Sequence, residues 1–431
     1  MALLGSVERQ VSPADRMDTQ KLSDSESSGL VGKRMAVVSF SAFPGDPRPR
    51  RAAEAFAEAG VSVDVICLKE AGASRKDTFK GIRIDRIGIE KSRHSKLGYV
   101  FQYCLFILIA FAMLTMRFPT RRYHVVHIHN MPDVLVFAAL VPKLFGARVL
   151  LDLHDPMPEL MMTIFNVRSE SWTVRIMVLC EKWSIAFADA VLTVNRTCEK
   201  LFVSRSCHSD KIFVVMNAPD ETIFKYSPVT IEGKWSNGKD RRLVIMYHGT
   251  LVERNGLDLA VKALDKVKQT IPGAELRIYG PRTPFLDGVL MTVSENGLEK
   301  SVHYLGARSL EQLSEAIMEC DIGVIPNRRS FFTEINTPTR IFEYLAKGKP
   351  VLAPRAPGIQ DYFGDNALVY FDLGDADDLA AKLEWVAAHP CEVGEITSRG
   401  QEVYLQHTWS REKEKLLKKA IDLLGGGRIR T

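Results

Sequence analysis

The chain has 431 residues, 46% of them hydrophobic and 25% charged, which predicts an ordinary folded protein with two or three domains. The formal net charge of +5 is small for this length and gives no indication of binding to a polyanion such as nucleic acid. The seven cysteines are scattered, without a CxxC pair or a zinc-ligand spacing, which excludes disulfide frameworks and zinc fingers and indicates a reducing compartment.

Both ends of the chain are predicted to be disordered. Residues 1–32 are rich in Ser and Asp and lack an apolar period, and they do not show the basic start and apolar stretch of a signal peptide. Residues 426–431 form a short tail. We therefore assign no function to either end.

From residue 33 to residue 217, short apolar runs alternate with longer amphipathic stretches. The apolar runs, in chain order, are MAVVSF, VSVDVICL, HVVHIH, ARVLLDLHD, AVLTV and KIFVVMN. Short buried strands separated by helices are typical of a parallel sheet that is covered on both faces. This part of the chain is therefore predicted to be a doubly wound, Rossmann-like α/β domain.

Residues 99–116 (YVFQYCLFILIAFAMLTM) form a long apolar stretch with basic residues on both sides. By length alone this stretch is a marginal transmembrane candidate. A single span would place the strands predicted before and after it on opposite sides of a bilayer, which one sheet does not allow. Two interpretations stay open: a buried helix packed on the sheet, and a helix lying in a membrane interface, which we favour.

Residues 218–242 lack a period and contain Pro, Gly, Ser and charged residues, which predicts a linker. The alternation then restarts and predicts a second Rossmann-like domain over residues 243–408. Residues 409–425 are predicted to form a basic amphipathic helix that crosses back to the first domain. Ligands bind beyond the carboxyl ends of strands in such sheets, so two facing domains would form a deep cleft.

Several polar residues follow strands of the first domain. Gly45 lies in the loop after the first strand, where a glycine allows a ligand to approach, and Arg48 and Arg50 make this region basic. His154 closes another strand between two aspartates, and His129 ends the strand before it. A histidine at the end of a parallel strand beside carboxylates is more often a site residue than a structural one.

The most informative motif is NTPTRIFEYLAKGKPVLAP at residues 336–354. Thr337 is predicted to cap a helix whose first N–H groups, at Thr339 and Arg340, would bind a phosphate with the help of the helix dipole. Glu343, one turn further on, would accept hydrogen bonds from sugar hydroxyls such as those of a ribose. An ordinary capped helix with a surface pair between Arg340 and Glu343 is the alternative.

The second domain opens with MYHGTLVERNGLDLAVKAL, which has the same strand-loop-helix organisation. Arg254 lies in the loop, where a cation would neutralise a diphosphate leaving group; a solvated loop arginine is the alternative. Gly280, at the end of the next strand, allows a ligand close to the backbone.

Other motifs are missing. The sequence has no GxGxxG fingerprint, no P-loop and no GxSxG elbow. The one DxD string, at Asp375 and Asp377, precedes a predicted helix and is interpreted as a cap. We therefore predict neither a metal nor a cofactor.

In chain order, FPGDPRPRRAAEAFAEAG, HDPMPEL, HGTLVERNGLDLAVKAL and PTRIFEYLAKGKPVLAP resemble motifs of the retaining glycosyltransferases of family 4 that build bacterial polysaccharides and lipid-linked glycans. The resemblance covers nearly the whole chain from about Arg34, and it implies the GT-B fold and metal-independent transfer from a nucleotide-diphosphate sugar. It also implies that Glu343 holds the donor ribose, that His154 faces the donor sugar and that Gly45 lies against the donor phosphates.

Together these arguments assign three groups of candidate residues. The candidate catalytic residues are His154, Arg254 and Glu343. The candidate donor-binding residues are Gly45, Gly249, Thr250, Gly280, Glu334, Asn336, Thr337, Thr339 and Arg340. The candidate acceptor-side residues are Arg48, Arg50 and His129.

The acidic residues depart from the family pattern. The family usually has two acidic residues eight positions apart, but the residue eight before Glu343 is Ile335, and Glu334 lies nine before it. The first acidic role is expected to fall to Glu334 or to the Asn336 amide.

The basic pair of the diphosphate site departs as well. Thr250 and Asn255 stand where the family usually has an arginine and a lysine. Arg254 is expected to replace this pair, with Arg340 assisting from the signature helix.

We therefore expect a hexosyltransferase at the cytoplasmic face of a membrane, where it acts on a glycan or lipid-linked acceptor. Residues 99–116 would make the peripheral membrane contact, and no nucleic acid is expected as a partner. The first alternative is a binding or scaffold protein that kept the fold and lost turnover. An NAD(P)-dependent dehydrogenase and a nucleotide-sugar epimerase are further alternatives, and the missing glycine fingerprint weighs against the dehydrogenase.

Overall fold

The computed structural model describes residues 29–89, 96–229 and 242–425. The predicted leader before residue 29, most of the second half of the predicted linker and the predicted tail lie outside the described residues.

The first half of the described chain forms one eight-stranded sheet in the order β3-β4-β2-β1-β5-β6-β7-β8. Its strands are β1 (Arg34–Ala42), β2 (Ser62–Leu68), β3 (Lys76–Phe79), β4 (Ile82–Ile87), β5 (Val125–His129), β6 (Arg148–Leu153), β7 (Ala190–Thr193) and β8 (Ile212–Val214). Its helices are α1 (Pro47–Glu58), α2 (Lys96–Arg121), α3 (Leu140–Leu144), α4 (Met157–Phe165), α5 (Trp172–Phe187) and α6 (Arg196–Arg205), with a 3-10 helix over Asp133–Ala139.

The strands of this sheet pair in parallel except at one edge. β1 pairs in parallel with β2 on one side and with β5 on the other, while β3 pairs antiparallel with β4. Lys80 and Gly81 connect β3 to β4 with positive φ values of 48° and 79°, the conformation of a tight hairpin turn. The sequence pattern did not predict this hairpin, because its exposed edge strand lacks an apolar run.

Helices cover both faces of the first sheet. Buried residues of α2, α5 and α6 share one apolar core with the strands, and the 3-10 helix joins them. Buried residues of α1 and α15 (Trp409–Leu424) form the core on the opposite face. The C-terminal helix therefore packs on the first sheet, and Lys413 pairs there with Glu58.

Helix α2 contains the apolar stretch singled out in the sequence. The segment Val100–Arg121 is the one helix in the described residues that is long and apolar enough to cross a membrane, and 22% of its most apolar window is buried. Phe106, Ala110 and Leu114 form a buried stripe at four-residue spacing. Since β1 and β5 flank this helix in the chain and pair directly, α2 lies along the sheet.

The second half forms a six-stranded sheet in the order β11-β10-β9-β12-β13-β14, in which neighbouring strands are parallel. Its strands are β9 (Arg242–His248), β10 (Gly273–Tyr279), β11 (Val302–Tyr304), β12 (Ile322–Val324), β13 (Val351–Arg355) and β14 (Val369–Asp372). Its helices are α7 (Leu257–Val267), α8 (Pro284–Glu295), α9 (Leu310–Glu319), α10 (Phe331–Ile335), α11 (Thr339–Ala346), α12 (Pro357–Phe363), α13 (Ala376–Ala388) and α14 (Pro390–Gln406). Asp375 caps α13 through the N–H groups of residues 377 and 378, as expected for the DxD string.

The two halves meet along helices that follow strands of the first sheet. The Asn195 side-chain amide donates to the Ile335 carbonyl at 2.9 Å, and the Thr197 hydroxyl donates to Asp361 at 2.7 Å. These contacts place α10 and the start of α11 against the carboxyl ends of β6 and β7. The two halves therefore contact each other at this edge of the first sheet.

Candidate active site

Helix α11 begins one residue later than the sequence predicted. Pro338 occupies the cap position and no side chain caps the helix, whereas the Thr337 hydroxyl donates to the Gly358 carbonyl at 2.5 Å. The prediction that Thr337 caps this helix is therefore wrong, because its hydroxyl is engaged by the neighbouring segment. The N–H groups of the first turn, which include those of Thr339 and Arg340, therefore have no capping side chain.

Glu343 lies on the next turn of α11 and contacts the end of β9. Its Oε2 atom is 2.5 Å from Nε2 of His248, a buried residue whose Nδ1 is 2.9 Å from the Tyr344 hydroxyl. The same hydroxyl donates to the Met246 carbonyl at 2.8 Å. This arrangement holds one carboxylate oxygen of Glu343 and leaves the other for a ligand.

Arg340 extends from α11 back over the end of β9. Its guanidinium donates to the His248 carbonyl at 2.8 Å and lies over the Tyr247 ring, with 4.7 Å to the ring centroid. A Cβ at Gly249 would lie 3.0 Å from this guanidinium, and Gly249 has a φ of 127°. Arg340 therefore supplies a cation at the end of β9. The family usually has an arginine near this point, at the position of Thr250, two residues after His248.

Gly280 is needed for the same strand-end geometry. Its φ is 156°, and a Cβ there would lie 2.2 Å from the Gly249 carbonyl oxygen. The close approach of these two backbones leaves no room for a side chain.

The loop after β9 places Arg254 between the two halves. Arg254 lies over the Phe332 ring at 5.8 Å, burial lowers its pKa, and the nearby Asp155 carboxylate opposes that shift. Thr250 is exposed, and its carbonyl accepts a hydrogen bond from the Asn255 side chain at 2.7 Å. Thr250 and Asn255 thus stabilise the loop, while Arg254 carries its positive charge in the cleft.

His154 lies at the end of β6 and His129 at the end of β5. The Nε2 atom of His154 is 2.8 Å from Nδ1 of His129, and the backbone N–H of His154 donates to Asn130 at 2.8 Å. Burial lowers the pKa of His154 to about 4 and that of His129 well below its ordinary value. Both rings are therefore neutral at pH 7, and His129, which is fully buried, orients His154.

Arg48 is buried beneath these histidines. Its guanidinium contacts both carboxylate oxygens of Asp152, with the shortest distance 2.6 Å, and it donates to the Val215 carbonyl at 2.9 Å. Burial alone would raise the pKa of Asp152, but the charge of Arg48 outweighs burial and holds that pKa well below the ordinary value. This ion pair anchors α1 to the sheet.

The same cluster contains the atoms of a possible metal site. His127, His129 and Asp152 each offer one ligand atom, all within 4.8 Å of one another, and both ring nitrogens of His127 lack a hydrogen-bond partner. The Arg48 guanidinium already neutralises the carboxylate of this group, so a second cation would be repelled. The cluster fits a positioning role better, and the absence of a metal stays a prediction.

Gly45 and Arg50 lie in and just after the turn that leads into α1. Gly45 is exposed in the turn before α1, and a Cβ there would meet the flexible Glu70 side chain at 3.4 Å. Arg50 is half-buried, 3.8 Å from Glu54. Arg51, which with Arg48 and Arg50 was expected to make this region basic, is buried, and burial lowers its pKa to about 10, with Glu343 among the charges that oppose the shift.

A cavity of about 200 Å³ joins the two halves at this edge. From the first half it is lined by His154, Asp155, Pro156, Val194, Cys198 and Asn217, and from the second by Phe332, Asn336, Thr337, Pro338 and Thr339. The structure thus brings His154 to the uncapped start of α11. Of the other candidates, Glu343, Arg340, Gly249 and Gly280 lie together at the end of β9 and β10.

Asn336 and Glu334 differ in their surroundings. The Asn336 Oδ1 atom is buried without a hydrogen-bond partner, and this residue lines the cavity. Glu334 forms an ion pair with Arg329 at 3.2 Å. An orphaned buried acceptor at the cavity wall is suited to a hydroxyl of a bound ligand.

Three residues at this site, His248, Asp155 and Asn217, are not among the candidates predicted from the sequence. Burial raises the pKa of Asp155 to about 6, and the positive charge of Arg254 opposes this shift. The position of Asp155 two residues after a strand was the available indication.

Two family models match the chain in the order of its two sheets. The model for the glycosyl transferase 4-like domain matches residues 46–218, and the model for glycosyl transferases group 1 matches residues 242–389. Together they span roughly three quarters of the chain. No curated protein matches it at a significant level.

Solved glycosyltransferase structures share the fold over almost their whole length. Sucrose-phosphate synthase from Thermosynechococcus elongatus superposes with a TM-score of 0.73 at 17% identity and covers 91% of this chain and 99% of its own. Anabaena HepE in complex with UDP-glucose superposes with a TM-score of 0.66 at 16% identity and covers 90% of this chain and 99% of its own. An E. coli trehalose-6-phosphate structure bound with UDP-2-fluoro glucose superposes with a TM-score of 0.64 at 14% identity and covers 91% of this chain and 99% of its own.

The two matched models and the paired Rossmann-like sheets lead to one assignment. The chain belongs to the GT4-type glycosyltransferases and has the GT-B fold.

Proposed function

We propose that this glycosyltransferase moves a hexose from a nucleotide-diphosphate sugar to a glycan or lipid-linked acceptor, with retention at the anomeric carbon. The observation that carries the proposal is one interdomain cavity lined by His154 and by the uncapped start of α11. Arg340 and Glu343, on the same helix, lie at the adjacent strand end. A phosphate site, a cation and a carboxylate for the ribose are thus provided by one short helix.

The donor would lie with its diphosphate on the first turn of α11. The N–H groups of that turn and the Arg254 and Arg340 side chains would hold its negative charge, so no metal is required. The free oxygen of Glu343 would accept hydrogen bonds from the ribose hydroxyls. HepE and the E. coli structure were solved with UDP-glucose and UDP-2-fluoro glucose, which supports a nucleotide-sugar of this kind.

The reaction would take place on a single face of the sugar. The bond from the anomeric carbon to the phosphate oxygen breaks, the acceptor oxygen bonds to the anomeric carbon from the same side, and the acceptor proton passes to the leaving phosphate. The neutral His154 would bind a sugar hydroxyl and orient the reacting carbon. Closing the cleft would exclude water, which competes as an acceptor.

The membrane setting is part of the proposal. The exposed stripe of α2 is apolar, and the window singled out in the sequence, 99–116, would make a peripheral contact at the cytoplasmic face. A bilayer there would present a lipid-linked acceptor to the cleft.

The stereochemistry tests the proposal. The purified chain, a nucleotide-sugar that it binds, and a lipid extract or a synthetic polyprenyl-linked sugar would be incubated together, and the product would be analysed by proton NMR. We expect an anomeric coupling that matches the donor. A product of inverted configuration would refute retention, and donor binding without transfer or hydrolysis would favour the binding-protein alternative suggested by Thr250 and Asn255.

A further inference from the structure

Helix α5 turns an apolar face towards solvent. Trp172 and Trp183 are 72% and 56% exposed, and Ile176 and Leu179 between them are also exposed. These residues recur at spacings of three and four, so they form one continuous stripe along the helix. A surface helix in a globular protein usually buries its apolar face and turns its polar face to solvent.

The inward face of α5 carries a buried charged residue, which fixes the orientation of the helix. Glu181 is fully buried, and the Arg205 guanidinium donates to both of its oxygens, at 2.9 and 2.6 Å. Arg205 also pairs with Glu159 at 2.5 Å. Rotating the helix to bury its tryptophans would expose this ion-pair network and leave Arg205 without one of its partners.

Helix α2 lies on the same side of the sheet and also has an outward apolar stripe. Phe101, Leu108 and Met116 are its most exposed large side chains after the helix start, at 68%, 65% and 72%. The buried stripes of α2 and α5 belong to one core, and the 3-10 helix lies between them. The outward stripes of the two helices therefore point away from the same face of the sheet.

Basic residues accompany these stripes. Arg175 and Lys182 are exposed on the outward face of α5, and the exposed carboxylate of Glu170, just before the helix, lies close enough to interact with Arg175. Arg117 and Arg121 follow the stripe of α2 and pair with Asp85 and Asp64, and Lys143, which lies over the Phe187 ring, pairs with Asp189. From Val100 to Arg121 the sequence contains no acidic residue.

We propose that the outward faces of α2 and α5 form one docking surface for an anionic lipid bilayer, with Trp172 and Trp183 entering the interface. Tryptophan has an apolar ring system and a polar N–H and therefore favours the boundary between lipid and water. The exposed cations of α5, Arg175 and Lys182, suit anionic headgroups. The inference deepens the proposed function, on which it rests, by adding a second element to the membrane contact.

A second copy of the chain is the other occupant to consider. A symmetric dimer through this surface would bring Arg175 and Lys182 of one copy towards the same residues of the other. Like charges in a buried interface are costly, whereas an anionic surface neutralises them. The charge pattern therefore favours the bilayer.

The test uses the full chain and two kinds of vesicle, pure phosphatidylcholine and phosphatidylcholine with 30% phosphatidylglycerol, in a flotation assay. We expect binding to the anionic vesicles, and Trp172→Ser with Trp183→Ser should weaken it at least tenfold. Met291→Ser, which removes an exposed apolar side chain from α8, is the matched control and should bind like the wild type.

Charge is tested separately. Arg175→Glu with Lys182→Glu should weaken binding to the anionic vesicles at least tenfold. Lys262→Glu with Lys300→Glu makes the same change in net charge on the second half and should leave binding unchanged.

A fluorescence measurement does not depend on destabilising variants. Lipids carrying a doxyl group near the headgroup should quench the tryptophan emission of the wild type. The variant Trp172→Phe with Trp183→Phe keeps the apolar surface, so it should still float with the vesicles but lose most of the quenching.

Three results would overturn the proposal: no vesicle binding by the wild type, unchanged binding by the serine variant, or a detergent-free dimer that the serine variant converts to a monomer. The catalytic proposal is measured independently, as release of nucleoside diphosphate from a nucleotide-sugar in the presence of a water-soluble acceptor. Sugar transfer without vesicle binding would refute the membrane-docking surface and leave the catalytic proposal standing. Vesicle binding without donor binding would refute the donor site and leave the docking surface standing.

Discussion

The Nε2 atom of His248 and the Oε2 atom of Glu343 lie 2.5 Å apart, although 95 residues separate them in the chain. One residue ends β9 and the other lies on the first turns of α11, so the contact ties the signature helix to the neighbouring strand end. Nε2 donates this hydrogen bond, and the Tyr344 hydroxyl contacts the other ring nitrogen at 2.9 Å. His248 thereby fixes the position of one carboxylate oxygen of Glu343.

This contact predicts that His248 acts on donor binding through Glu343. Glu343→Ala should weaken binding of the nucleotide-sugar by about 10- to 100-fold, because a charged hydrogen-bond acceptor is lost. His248→Ala should weaken it by roughly three- to tenfold, and the double variant should resemble Glu343→Ala alone. Isothermal titration calorimetry measures all three, with His303→Ala as the control. Additive losses would show that the two residues act independently.

Arg254 is predicted to stabilise the leaving diphosphate. Arg254→Gln should lower the transfer rate by about 10²-fold, since it removes a positive charge from the place where negative charge develops. The melting temperature should change little, because the side chain contacts the Phe332 ring and forms no ion pair within the described residues. Arg282→Gln, at an exposed pair with Asp287, is the control in the same rate assay. An unchanged rate would mean that Arg340, and not Arg254, stabilises the negative charge on the leaving diphosphate.

Asn336 is predicted to bind a donor hydroxyl. Its Oδ1 is buried without a partner in the ligand-free protein, so Asn336→Ala should leave the free energy of unfolding within about 1 kcal/mol of the wild type. The same change should weaken donor binding by about 5- to 30-fold, because the hydroxyl then loses its acceptor. Chemical denaturation and calorimetry give the two quantities, and Asn296→Ala is the control. A large loss of stability with unchanged donor affinity would make Asn336 structural.

Asp133 is predicted to make stability depend on pH. Burial raises its pKa to about 7, with the Asn130 amide opposing the shift. Between about pH 4 and pH 7 the folded carboxyl keeps a proton that the unfolded chain has lost, so the free energy of unfolding falls as pH rises through this window. Asp133→Asn should remove that dependence and be more stable than the wild type at pH 8, by up to about 4 kcal/mol.

Denaturant unfolding at pH 4.5 and pH 8 checks this expectation. The difference between Asp133→Asn and the wild type should be near zero at the lower pH and clearly positive at the higher one. Asp265→Asn, an exposed change on α7, should give the same small difference at both. Equal differences for Asp133→Asn at both pH values would mean that the folded carboxyl is charged throughout.

Much of the fold followed from the sequence pattern. Buried parallel strands appear as continuous apolar runs, so β1, β5, β6 and β9 were recognisable, and the chain topology ruled out a membrane span for α2 before the pairing of β1 with β5 was known. The hairpin of β3 and β4 was missed because an edge strand has no such run. The cap of α11 was predicted wrongly because the partner of Thr337 is the Gly358 carbonyl, 21 residues away.

The site was less predictable than the fold. Strand-end position indicated His154, Gly249 and Gly280, since ligands bind at that edge of a parallel sheet. The support of Glu343 by His248 depends on how β9 and α11 pack, which spacing along the chain does not report. The exposure of the apolar face of α5 could not be predicted either, because a stripe of Trp172, Ile176 and Trp183 normally indicates a buried helix face. Only the burial of Glu181 on the opposite face shows that this stripe points outward.

The most direct test is the melting temperature of the wild type and Glu343→Ala with UDP-, GDP-, ADP- and TDP-sugars, and with NAD(P) as a comparison. A ligand that binds only the folded protein raises the melting temperature. The account predicts a rise of a few degrees with one nucleotide-sugar and a much smaller rise for the variant. A response to NAD(P) alone, or an equal rise in both proteins, would contradict the donor site at α11.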